Sequence, residues 1–145
     1  AYRLATYGQG PAQVTLMGSG AILIEVIEAA QTLAAQGIAC EVISVTSWSE
    51  LARDGMRSDA CELHGKPAKK PYLRSLLASG RGPVVATTDY VRAVPEQVRA
   101  YVPPGRSFTT LGTDGFGRSD TRAALRNYFK VDAAAIVRAA TSMLT

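Results

Sequence analysis

Two glycine-bearing stretches hold the residue types and spacing that could do chemistry. In "MGSGA" (17–21), Gly18 and Gly20 stand between an apolar run and a helix-like pattern. Free backbone N–H groups at such a turn can hold an anion. A full dinucleotide fingerprint would need a third glycine where Leu23 stands, and an acidic residue closing "CEVISV", where Val45 and Thr46 stand. A tight turn between strand and helix is the favoured reading, with nucleotide binding the minor one.

The second stretch is "LGTDGFGRSDTRAALRNYF" (111–129), with Gly112, Gly115 and Gly117 in a G-x-x-G-x-G order. That order is not a phosphate fingerprint, and no lysine follows as in a P-loop. Asp114 and Asp120 would repel a phosphate. Gly115 and Gly117 suit positive φ or close approach, and Ser119 suits a helix N-cap with Asp120 beside it. Phe116 on this tip is expected to be buried against another surface. Arg118, Arg122, Arg126 and Lys130 follow at steps of four, as a basic stripe along a helix. A solvated face is the first reading of that stripe, and an interface the second.

Other chemistry is thinly supported. His64 is the only histidine, placed in the polar run "HGKPAKKP". A serine triad would need it, yet no G-x-S-x-G elbow is present. It reads as an exposed or locally bonded loop residue. Cys40 and Cys61 show no metal-ligand spacing. Reduced thiols are expected, as in a cytoplasmic domain. The "KPAKK" cluster with Arg74 lacks interleaved aromatics, so nucleic acid is not the expected partner.

The totals agree. With 145 residues, 47% of them hydrophobic, the chain suffices for one domain spanning 1–145 with its own core. Net charge is +4, from 16 Lys+Arg against 12 Asp+Glu, which is only mildly basic. Glu25 and Glu28 interrupt "GAILIEVIEAA", so no membrane span is read. The first residues already alternate like a strand and no initiator Met precedes them. The chain is therefore expected to be a piece of a longer one.

These motifs must be positioned by alternating strands and helices, the sign of a largely parallel sheet. Strands are predicted at 2–7, 14–18, 40–45, 83–88 and 107–112. The first helix follows Ser19 as N-cap and stops at Gly37. Ser47 and Glu50 form a capping box. Segment 57–70 gives no clear pattern, and "YLRSLLAS" reads as a short helix. Pro95 suits the first turn of a helix through "PEQVRAYV". Residues 120–129 read as a helix, and Asp132 caps a last one, with Val131 and Ile136 as a hydrophobic staple. The link between the first two strands is too short for a parallel crossover, so the first strand is expected antiparallel at an edge. The crevice at the carboxyl ends of the strands, near Gly18, Gly20, Thr88 and Asp89, is the default site for a small molecule.

"VTLMGSGAILIEVIEAAQTLA", "EVISVTSWSELARDG", "TDYVRAVPEQVRAYVP" and "LGTDGFGRSDTRAALRNYFKVD" resemble the C-terminal domain of the homodimeric pyruvate dehydrogenases, thiamine-diphosphate-dependent first components of the pyruvate dehydrogenase complex. "TSWSELARDG" and "LGTDGFGRSD" are the most specific parts. The resemblance implies a transketolase C-terminal fold: an α/β, three-layer α/β/α domain with a mixed five-stranded sheet and one antiparallel edge strand. It also implies a parent that decarboxylates pyruvate and passes the two-carbon unit to a lipoyl group on the dihydrolipoyl acetyltransferase core. Such enzymes hold thiamine diphosphate and Mg²⁺ between two upstream domains. The G-D-G cofactor motif is absent here, since Thr113 stands at its first glycine. No catalytic, cofactor-binding or metal residue is therefore carried onto this chain. The expected role is structural, with upstream domains and a second subunit as partners and Asp114, Phe116, Arg118, Arg122 and Arg126 as candidate interface. The rival reading is a stand-alone small-molecule or regulatory module using the crevice.

Overall fold

The computed structural model describes residues 1–144. Five strands, β1 (Tyr2–Tyr7), β2 (Val14–Gly18), β3 (Cys40–Ser44), β4 (Val84–Thr87) and β5 (Phe108–Leu111), form one sheet in the order β1-β3-β2-β4-β5. β1 runs antiparallel to β3, with an irregularity between Arg3 and Ala5. The other pairs are parallel. The linker after β1 cannot carry a crossover, so β1 takes the antiparallel edge as expected.

β2, β3 and β4 are buried along their whole length, because helices cover both faces. Successive side chains point to opposite faces. Leu16, Val42 and Val85 meet α1 (Leu23–Ala35) and α6 (Ala133–Ser142), which contributes Ile136. Met17, Ile43 and Val84 meet α2 (Trp48–Leu63) and α3 (Tyr72–Leu76) on the other side, through Trp48, Leu51 and Leu73. The result is the expected three-layer α/β/α arrangement.

The lower end of the sheet carries a buried charge. Glu41 is 4% exposed and pairs with Arg3 across β1 and β3. Thr15 Oγ1 donates to Glu41 Oε2 at 3.3 Å and accepts from Arg106 Nη2 at 2.8 Å. Arg106 also donates to the carbonyls of Gly82 and Leu77. A charge so far from water is tolerated because every polar neighbour is engaged.

Several helix ends differ from expectation. Ser19 makes no cap bond; its hydroxyl lies 3.1 Å from Thr88 Oγ1, and the chain enters α1 through a 3-10 turn at Gly20–Ile22. Thr121, not Ser119, caps α5 (Arg122–Phe129), accepting from Ala124 N at 3.3 Å. The helix therefore starts two residues later than read. Only half of the 47/50 capping box forms: Glu50 N donates to Ser47 Oγ, while the Glu50 carboxylate turns to Arg53 and Arg57. The unclear segment after residue 57 continues α2 to Leu63, with His64 as its exposed C-cap. Pro95 lies inside a single turn, α4 (Ala93–Glu96), and a 3-10 turn (Arg99–Tyr101) replaces the longer helix expected there. Asp132 caps α6 as expected, accepting from Ala135 N at 2.9 Å, and Val131 and Ile136 are both buried.

Candidate functional site

β3 lies on one side of β2 and β4 on the other, so the chain leaves the carboxyl ends of β2 and β4 in opposite directions. In open α/β sheets this switch point opens a crevice. Here the Ser19–Thr88 hydroxyl contact closes its floor. A cleft of about 510 Å³ lies on one side, with Ser19, Thr46, Ser47 and Tyr90 in its lining. A second, about 480 Å³, has an apolar floor from Ile22, Leu125, Phe129 and Val131 and a charged rim that includes Arg122. Asp89 lines both.

The loop after β5 is locked onto the loop after β4. Thr113 N donates to the Tyr90 carbonyl at 2.9 Å, and Thr113 Oγ1 to the Asp89 carbonyl at 2.6 Å. Asp114 accepts from Arg92 N at 2.8 Å and from Arg92 Nε at 2.6 Å. The Arg92 side chain and backbone N–H together hold the Asp114 carboxyl below its ordinary range. Gly112 makes this approach possible: a Cβ there would come 2.6 Å from the Tyr90 carbonyl oxygen. Asp114 is thus engaged by Arg92 within the chain, with its side chain still 45% exposed.

Beyond this clamp the loop turns at Gly115, with φ 94°, and presents Phe116 at 96% exposure. Gly115 supplies the expected left-handed conformation; Gly117 is not in that region. Tyr90 and Val91, at 64% and 47%, add exposed apolar surface on the clamped loop. Sequence reading missed those two; the signal was an apolar pair following the strand end "TTD", where a buried continuation would have ended.

The basic stripe does not form as one face. Arg118 precedes α5 and lies over the Tyr128 ring at 4.3 Å. Lys130 follows the helix in a left-handed conformation, φ 58°. Arg126 turns inward to Glu25, Nη1 to Oε1 at 2.6 Å. Only Arg122 stays exposed on the helix without an acidic partner among the described residues.

The residues here do not fit a magnesium-diphosphate group. Asp114 is engaged by Arg92 and Asp120 by Thr121 N–H. Among the described residues no three of His, Cys, Asp and Glu gather in one place. Nor is any helix there long and apolar enough to cross a membrane.

A family model described as the transketolase-like TK C-terminal domain matches residues 1–132. Relatives called pyruvate dehydrogenase E1 component include those of Mycobacterium tuberculosis, 49% identical over 121 residues, and Escherichia coli K12, 45% over 146. These alignments cover 81% and 99% of this chain but only 13% and 16% of the relatives' own length. Among solved structures, the Leishmania mexicana transketolase superposes with TM-score 0.64 at 20% identity, covering 96% of this chain and 18% of that one. A split-gene transketolase, described as an inactive β4 tetramer, gives 0.65 at 20%, covering 97% and 42%. Matched in sequence over nearly its whole length and in fold by these transketolases, the chain belongs to the transketolase-like C-terminal domain family.

Proposed function

We propose that this chain works as the C-terminal structural and dimer-contact domain of a thiamine-diphosphate-dependent pyruvate dehydrogenase. The observation that carries this is Phe116, held 96% exposed on a loop that two side chains, Thr113 and Asp114, clamp in place. A large aromatic presented next to an anchored stretch of loop offers a partner much apolar area for little ordering of that stretch, which suits an anchor. The relatives' name supplies the reaction. On this reading the longer enzyme decarboxylates pyruvate in the cytoplasm and hands the acetyl unit to a lipoyl-bearing acetyltransferase core. Its thiamine diphosphate and Mg²⁺ sit in upstream domains, because the donors in this one do not fit them. This domain contributes surface rather than reacting groups.

Calorimetric titration of the 145-residue chain with thiamine diphosphate and Mg²⁺ tests the assignment. No binding heat is expected, while the longer enzyme binds both and turns over pyruvate. Stoichiometric binding to this chain alone would overturn it.

A further inference from the structure

We propose that the cleft at the amino ends of the parallel strands binds a small dicarboxylate, which Arg81 and Arg3 hold between them. The site lies at the opposite end of the sheet from the interface reading above and does not depend on it.

A cleft of about 720 Å³ opens near the start of β2, β3 and β4, where Gln13, Glu41 and Gly82 line it. Its wall is tightly built. Gly82 packs so closely on the entry to β2 that a Cβ would come 1.6 Å from the Gln13 carbonyl oxygen. Gly80 leaves room for Arg106, since a Cβ there would come 2.6 Å from Arg106 Nη1. These two glycines flank Arg81, so the loop that carries it is pinned on both sides. Arg3 is fixed on β1: its Nε pairs with Glu41, and its Nη2 donates to Ser79 Oγ at 2.9 Å. A guanidinium has five N–H donors, so Arg3 keeps donors for a ligand.

The charges here do not balance. Glu41 is the one acid lining the cleft, and it serves Arg3 directly and Arg106 through Thr15. Arg81 also lines the cleft, and its side chain has no ionic or hydrogen-bonding partner among the described residues. Three guanidiniums against one carboxylate leave two positive charges in excess. Pinning β1 to β3 accounts for Arg3 and Glu41, but not for Arg81 or for that excess. A concave surface with an excess of one sign gathers counter-ions, and guanidinium geometry matches a carboxylate. Glu41 then selects the shape of the anion. A compact dianion such as phosphate would place both its charges beside that carboxylate, whereas a dicarboxylate divides them between Arg81 and Arg3. Pro11, Ala12 and Leu144 give the cleft an apolar side for the carbon chain.

Calorimetric titration of the 145-residue chain with succinate at fixed ionic strength tests this, with circular dichroism confirming that each variant is folded. One succinate per chain is expected. Arg81→Gln is expected to weaken binding about tenfold, the effect of losing one charge-assisted contact. Acetate, which meets only one guanidinium, should also bind about tenfold more weakly than succinate. Arg3→Gln would leave Glu41 without its partner, so the exposed Arg81 is the variant that decides. Three results would overturn the inference: no succinate heat, an affinity indifferent to Arg81→Gln, or inorganic phosphate bound as tightly as succinate. Each leaves the proposed function standing, since that rests on Phe116 beyond the other end of the sheet. Cofactor binding by this chain would remove that function and leave the dicarboxylate site untouched.

Discussion

Arg126 Nη1 reaches Glu25 Oε1 at 2.6 Å across 101 positions of sequence. The other carboxylate oxygen accepts from Ala133 N at 2.9 Å. One side chain on α1 thereby fixes both α5 and the first turn of α6. The two partners are only 15% and 13% exposed. Glu25→Ala leaves the Arg126 guanidinium with only the Ala21 carbonyl as acceptor and no anionic partner, and leaves a helix-end N–H without an acceptor. A loss of about 3 kcal/mol is expected, as for breaking a largely buried pair, measured by urea denaturation. An unchanged midpoint and slope would show that water replaces the carboxylate.

Gly55 lies against the Tyr101 ring, so closely that an added Cβ would overlap it. Tyr101 is buried, and its hydroxyl is 2.7 Å from Asp59 Oδ2, one turn further along α2. Gly55→Ala gains helix propensity but must displace the ring. The overpacking term of about 1–3 kcal/mol outweighs the propensity gain of about 1 kcal/mol or less. A lower melting temperature is expected, and Asp59→Asn in the same background should add less than it does alone.

The two thiols should differ sharply in reactivity. Cys40 is buried in β3, where desolvation pushes its thiol up to about 11. Cys61 is half-buried on α2. Alkylation of the native protein near neutral pH, followed by mass spectrometry, should modify Cys61 first and Cys40 only on unfolding. Equal rates would mean that β3 opens readily.

Glu96 bears on acid stability. Its bond to Arg99 is the main cause of a lowered carboxyl pKa, aided by Thr110 and opposed by partial burial. A depressed folded value means the stabilisation is present above the unfolded value, ~4.3 for an ordinary glutamate, and is lost as pH falls through the folded one. Glu96→Gln should lower stability at neutral pH and flatten its decline below that range. A variant that tracks the parent through acid denaturation would exclude this contribution.

β2, β3 and β4 were legible because their apolar runs are short, bounded by turn residues and buried on both sides. β1 at an antiparallel edge followed from a linker too short to cross over. The cap at Asp132 was legible for a similar reason: an N-cap depends on residues within one turn. Ser19 and Ser119 were misread because a hydroxyl's partner is chosen by what folds near it. Thr88, 69 positions away, takes Ser19, and Thr121 lies closer to the start of α5 than Ser119 does.

Sequence alone determined the class of fold, the family motifs and the place of each strand, with β3, β4 and β5 each read one residue too long at one or both ends. All of these rest on patterns that repeat within a few residues of one another. The tertiary structure alone decided which charges remain free. Steps of four placed Arg118, Arg122, Arg126 and Lys130 on one notional stripe, but Glu25 on a distant helix draws Arg126 inward and Tyr128 takes Arg118. Likewise Asp114 is occupied by Arg92, while Phe116 two residues later is left in water. Long-range partners set these differences, and local spacing carries no record of them.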